Sequence, residues 1–157
     1  MKTITKTYNV YSFDELDEKG QDKALNNLWD INVDYDWWES VYNDAEDVGI
    51  NITAFEIDRY CRGELNLSAK KVALSILENH GELCGTYKTA KDYLIIRHKA
   101  NKNYLEDIDN DFKNSIFEEY LLILRDEYEY LTSRESIIDT INANEYQFTS
   151  NGELFHA

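Results

Sequence analysis

Leu105, Ile108, Phe112, Ile116, Tyr120, Ile123 or Leu124, Tyr128 and Leu131 recur at intervals of three or four residues. Only a 3.6-residue period returns such positions to one face. The pattern therefore commits the chain to a single long amphipathic helix at about 104–131. Phe117, Leu121 and Leu122 widen the stripe, which predicts a central packing element rather than a surface helix. In a chain of 157 residues, most of the rest must then pack around this one rod.

The flanking segments carry shorter signals. Lys2 to Tyr11 alternates, with Ile4, Tyr8 and Val10 opposite Thr3, Thr5, Thr7 and Asn9, which predicts a half-buried strand. Ser12-Phe13-Asp14-Glu15 has the form of a capping box, and a helix from about Glu18 to Asp30 should bury Ala24, Leu25, Leu28 and Trp29. Asp34 or Asp36 is placed to cap a second helix through about Val48. Trp37, Val41, Ala45 and Val48 form its stripe and Gly49 is its stop. Asn51 to Tyr60 and Glu64 to Leu67 read as two strands turning at Arg62-Gly63. Ser68 opens a third helix, with Val72, Ala73, Ile76 and Leu77 inward and Gly81 at its end. Thr86 to Lys99 continues as helix, with Tyr87, Ala90, Tyr93 and Leu94 as its apolar side. Thr132 to Glu135 is a second capping box, for a helix through about Asn142. Ser150-Asn151-Gly152 between alternating apolar positions signals a C-terminal hairpin. The expected class is α+β: a helix-dominated single domain, 1–157, with a small antiparallel sheet.

Charge is the second constraint, and it is segmented. Residues 14–58 hold 14 carboxylates against two lysines, residues 59–102 hold 9 Lys/Arg against four acids, and residues 103–157 hold 13 carboxylates against three cations. The net charge of −15 repels nucleic acid and anionic membrane and attracts basic surfaces. Disorder, the other common meaning of such charge, is argued against by 12 Tyr, 6 Phe and 3 Trp. No apolar run reaches the length of a membrane span, and the first residues lack the apolar core of an export signal. Two cysteines alone suggest reduced thiols, so the host cytoplasm is the expected compartment.

Few constellations suggest chemistry. Cys61, His80, Cys84 and His98 lack the paired spacing of a zinc site and read as small buried cysteines and surface histidines, so no metal is expected. Gly81 to Lys91 is rich in glycine, hydroxyl and lysine ahead of a helix, but it lacks the Gly-Lys-Ser/Thr ending of a phosphate loop and reads as a turn between helices. No nucleophile elbow is present, and neither cysteine has a general-base context. A non-enzymatic protein without cofactor is expected.

The most distinctive segment is Asp34-Tyr35-Asp36-Trp37-Trp38-Glu39. Aromatics anchor interfaces and surrounding acids select a basic partner, so Asp34, Tyr35, Asp36, Trp38, Glu39, Asp44, Glu46 and Asp47 form the candidate partner surface. Helical acids at i, i+4 lie roughly 5–6 Å apart, comparable with every second phosphate of a DNA strand, so imitation of nucleic acid is geometrically open. Arg59, Arg62, Lys70, Lys71, Lys88 and Lys91 form the alternative site, for a nucleotide or other anionic signal.

Tyr11-Ser12-Phe13-Asp14-Glu15-Leu16 and the acidic Asp34–Glu39 segment, with Glu127-Tyr128-Glu129-Tyr130-Leu131 and Ala143-Asn144-Glu145-Tyr146-Gln147-Phe148 near the end, resemble a group of small phage and prophage proteins, some loosely labelled antitoxin-like. The resemblance implies a phage origin and no active site. Small acidic phage proteins often block host defence, as anti-restriction and anti-CRISPR proteins do. The leading expectation is thus an inhibitor bound to a basic host protein, a defence nuclease or its complex, with no direct nucleic-acid or membrane contact. The alternatives are a signal-binding protein and an antitoxin-like partner of a basic toxin.

Overall fold

The computed structural model describes residues 1–156. Eight regular elements follow one another: α1 (Glu18–Asn27), α2 (Glu39–Asp47), β1 (Ile50–Glu56), β2 (Tyr60–Leu65), α3 (Ala69–Asn79), α4 (Gly85–Lys99), α5 (Leu105–Leu131) and α6 (Arg134–Ala143). The fold is α+β, dominated by helix, with one two-stranded antiparallel sheet. The chain divides into two compact units, one made of residues 1–37 and 128–156, the other of residues 38–127.

The first unit is built on Phe13, Leu16, Ala24, Ile137, Ile141 and Phe148, with Tyr11, Leu25, Leu28 and Ile31 packed against them. The Ser12 box forms as expected, its backbone N–H donating to Glu15 Oε2 at 2.8 Å, and it opens the short helical turn that should precede α1, a single 3-10 turn at Phe13–Glu15. Asp17 caps α1 by accepting from Gly20 N–H at 2.7 Å. Residues 2–10 form no strand. Only Tyr11 pairs, exchanging backbone hydrogen bonds with Phe148 at 2.9 and 2.8 Å. Alternation alone does not make a strand; an adjacent edge must take its amides, and Ile4 and Tyr8 are left 75% and 60% exposed. Helix α1 stops at Asn27, three residues early, so Trp29 falls off its stripe and is exposed. The α6 cap is Ser133, not Thr132, because the Thr132 hydroxyl donates back to Tyr128 O at 2.8 Å. The C-terminal hairpin is present. Thr149 N–H donates to Glu153 O and Phe155 N–H to Gln147 O, both at 2.8 Å, around Gly152 at φ +87°.

In the second unit α5 supplies Phe112, Ile116, Phe117, Tyr120, Leu121 and Leu124 to the core. The choice between Ile123 and Leu124 resolves to Leu124. Leu122 does not widen the stripe as expected; it and Ile123 are exposed. Also buried in this unit are Val41, Ala45 and Val48 of the α2 region, Ile50 and Ile52 of β1, Val72, Ala73 and Ile76 of α3, and Ala90 and Tyr93 of α4. The Tyr93 ring stacks on Phe112 with centroids 4.2 Å apart. Gly49, at φ +90°, ends α2 as its position implied. Ser68 accepts from Lys71 N–H at 3.3 Å and starts α3. The hairpin turn lies at residues 57–59 and not at Arg62-Gly63. Gly63 sits inside β2 opposite Ile52, beside a register shift, where a Cβ would come within 1.9 Å of Asn51 O. The glycine is there for a close backbone approach, the other reason a strand uses one.

Candidate functional site

Asp44 is an acidic residue of the second unit that two neighbouring side chains approach. It lies on the exposed side of α2, one residue before buried Ala45, and points toward α5 and the end of α3. The Tyr120 hydroxyl donates to Asp44 Oδ2 at 3.1 Å, and His80 Nε2 is 3.2 Å from the same oxygen. Tyr120 is wholly buried, and burial, then the Asp44 carboxylate, pushes its phenol above the usual tyrosine range. His80 follows the last turn of α3, and its side chain is only 8% exposed. Its Nδ1 is 2.6 Å from Thr86 Oγ1, one of the two donating according to tautomer. Nε2 reaches Asp44 at ion-pair distance but makes no hydrogen bond.

Asp44, His80 and Thr86 line a cleft of about 480 Å³ with Cys84, Glu119, Leu122, Ile123 and Asp126. Glu119, Leu122, Ile123 and Asp126 stand at i, i+3, i+4 and i+7 of α5, a second stripe that mixes acids with exposed aliphatics. That spacing was readable in the sequence, but the stronger core stripe on the same helix obscured it. His80, Thr86 and Tyr120 have no such signal, because the turn between α3 and α4 brings them together.

A Cβ on Gly85, the first residue of α4, would come within 2.2 Å of Glu119 Oε2, so the chain's own carboxylate lies against the start of this helix. The segment is the helix-to-helix turn expected of it. The expectation for cysteines and histidines is partly reversed: Cys84 is exposed and the His80 side chain is buried. Burial pushes the half-buried Cys61 thiol up to about 11. Among the described residues no group of His, Cys, Asp and Glu is arranged to hold a metal ion.

The acidic candidates fall into two sets. Asp34, Tyr35 and Asp36 are exposed in the turns of the first unit, and neither aspartate caps α2, whose N-cap position is Trp38 with no side-chain cap bond. A tight turn, Trp37 N–H to Tyr35 O at 2.7 Å, has Asp36 at its middle. In the second unit Glu39, Glu46 and Asp47 are exposed on α2, and Trp38 is half-buried with its ring edge-on to Phe55 at 5.6 Å. No ion pair among the described residues involves Asp34, Asp36, Glu39, Glu46 or Asp47.

The basic candidates disperse. Arg59 pairs with Glu56 at 3.3 Å, and Arg62 stacks over the Tyr60 ring at 4.8 Å. Lys71 and Lys88 are exposed on α3 and α4, while Lys70 and Lys91 line one cavity together. No described helix is long and apolar enough to cross a membrane. The fold and the cleft define a helix-dominated α+β protein with an acidic, partly aliphatic recess. Compared with protein-family models, curated proteins and solved structures, the chain shows no match.

Proposed function

We propose that this chain is a non-enzymatic, phage-encoded inhibitor that binds a basic, nucleic-acid-handling protein of a host defence system. The observation that carries the reading is the cleft on Asp44, Glu119 and Asp126 with Leu122 and Ile123 exposed beside them. A long cationic side chain has the same two-part character: an aliphatic stem that packs on Leu122 and Ile123 and a charged head for the carboxylates. Arginine or lysine of the partner is the group this recess suits, and the unpaired acids of α2 supply the surrounding field.

Helix α2 carries Asp44 and Asp47 at i, i+3 but no carboxylate pair at i, i+4. We therefore assign recognition to individual cationic side chains rather than to regular phosphate imitation. Asp34, Tyr35 and Asp36 of the first unit are a second, separate contact set in the same reading.

The test is capture from host lysate followed by affinity measurement over a salt series. A basic nucleic-acid-handling protein should be recovered, and its binding should weaken steeply with salt. Glu46→Lys, Asp47→Lys and Asp126→Lys together should weaken that complex at least tenfold. Asp34→Lys with Asp36→Lys reports on the other set. A confirmed complex that tolerates both groups of reversals, or a partner without a basic surface, would overturn the proposal.

A further inference from the structure

The positive block of the chain contains a cavity of its own. Helices α3 and α4 pack as an antiparallel pair, so that Lys70 at the start of α3 faces the second half of α4, and Leu105 at the start of α5 closes the end. The space between them is about 720 Å³, within the roughly 300–1,000 Å³ common to small-molecule sites. Lys70, Leu74 and Leu77 stand at i, i+4 and i+7 of α3, and Lys91, Leu94, Ile95 and His98 at i, i+3, i+4 and i+7 of α4. Each helix thus presents a lysine followed by an aliphatic stripe to the same groove.

Two observations separate this from an ordinary solvated face. Leu74 and Ile95 are each 45% exposed inside a concave, cation-bearing surface of a chain whose net charge is −15. Among the described residues, Lys70, Lys91 and Lys99 are in no ion pair, whereas Arg97, which also lines the cavity, is held by Asp109 at 3.1 Å. Arg97, His98 and Lys99 have a structural role too, since cations suit the last turn of a helix. Lys70 does not: it lies in the first turn of α3, where the helix end is already positive. No phenylalanine, tyrosine or tryptophan lines the groove, and its one ring is the His98 imidazole.

We propose that the groove between α3 and α4 binds a small anion with an unbranched aliphatic tail, a free medium-chain carboxylic acid, with Lys70 and Lys99 at one end taking the carboxylate and the leucine and isoleucine stripes, which run toward Lys91, taking the tail. The site is independent of the acidic cleft.

Titration calorimetry with hexanoate, octanoate and decanoate, each below its aggregation limit, tests this on the full chain. Saturable one-to-one binding is expected, tightening about fourfold per added methylene until the groove is full. Lys70→Gln and Lys99→Gln together should weaken decanoate at least tenfold. Leu74→Gln with Ile95→Gln, at positions already half in water, should flatten the chain-length dependence without unfolding the protein, as checked by circular dichroism. The proposal is overturned by absence of saturable binding, by equal binding of decyltrimethylammonium, or by a lysine variant that binds decanoate unchanged. Preference for a nucleotide, or binding to anionic phosphatidylglycerol vesicles but not to free decanoate, would likewise overturn it.

Discussion

Tyr120 and Asp44 are joined across two helices, the buried phenol of α5 donating to the half-exposed carboxylate of α2 at 3.1 Å. The bond links the core to the cleft, since the same Oδ2 also faces His80. Tyr120→Phe keeps the ring and removes only the hydroxyl. We expect a loss of about 1–2 kcal/mol in urea unfolding, the range for a hydrogen bond to a charged group that is partly solvated. Partner affinity should fall as well, because Asp44 is no longer held; a variant unchanged in both would show that the hydroxyl does not position the acid.

Asn32 is a buried polar residue of the first unit, 7% exposed, and its one amide serves three partners. Its Nδ2 donates to Leu131 O at 3.0 Å and Ser136 Oγ at 3.1 Å, and its Oδ1 accepts from Thr140 Oγ1 at 2.6 Å. Asn32→Leu, similar in size but unable to bond, should cost about 2–3 kcal/mol because the hydroxyls and the carbonyl are left without their partner. Thermal unfolding measures it, and a shift within error of wild type would contradict the assignment.

Cysteine reactivity should separate the two thiols. Cys84 is exposed, whereas the Cys61 thiol is half-buried and held at about 11 by burial. At pH 8 only about a thousandth of Cys61 is thiolate, so iodoacetamide followed by peptide mass spectrometry should find Cys84 modified well before Cys61.

Alkaline pH should weaken the fold by the same logic. A group raised in the folded state favours its neutral form there, so its contribution is complete below the unfolded value and lost above the folded one. For Cys61 the window runs from 9.0 to about 11. Tyr42, Tyr93 and Tyr120 are also raised, chiefly by burial, and extend the loss upward from the usual tyrosine value of 10.0. Urea midpoints should therefore be lower at pH 10.5 than at pH 8; an equal or higher midpoint would contradict the burial of these groups.

Gly63→Ala tests the sheet. The new methyl would meet Asn51 O of the paired strand at 1.9 Å, and backbone cannot yield as a flexible side chain can. A destabilisation of about 2 kcal/mol or more is expected, with the strands forced apart locally. A neutral effect would mean that the strands are paired differently.

What could be read in advance followed local physics. The limits of α5, the stop at Gly49, the Ser68 cap and the stripe of Val41, Ala45 and Val48 each depend on neighbours within a turn or two. The failures share a different cause. Lys2 to Val10 alternates correctly and still forms no strand, since pairing requires an edge that Phe148 offers to Tyr11 alone. Gly63 was read as a turn glycine although its reason lies across the strand at Asn51. The cleft was half visible, through Asp44 and the mixed stripe on α5, while His80 looked like a surface histidine until the turn into α4 placed Thr86 beside it.

The sequence by itself determined that this chain is helical for most of its length, carries one long amphipathic helix, and is strongly acidic with a basic segment between two acidic ones. Periodicity, caps and charge are properties of adjacent residues, so they survive without a fold. Tertiary structure alone decided which charges remain unpaired and where concave surface forms. It sent Arg59 to Glu56 and Arg62 to the Tyr60 ring, but gathered Lys70 and Lys91 on one aliphatic groove and Asp44, Glu119 and Asp126 on another. Those outcomes depend on contacts between residues far apart in the chain, which helix packing specifies and local pattern does not.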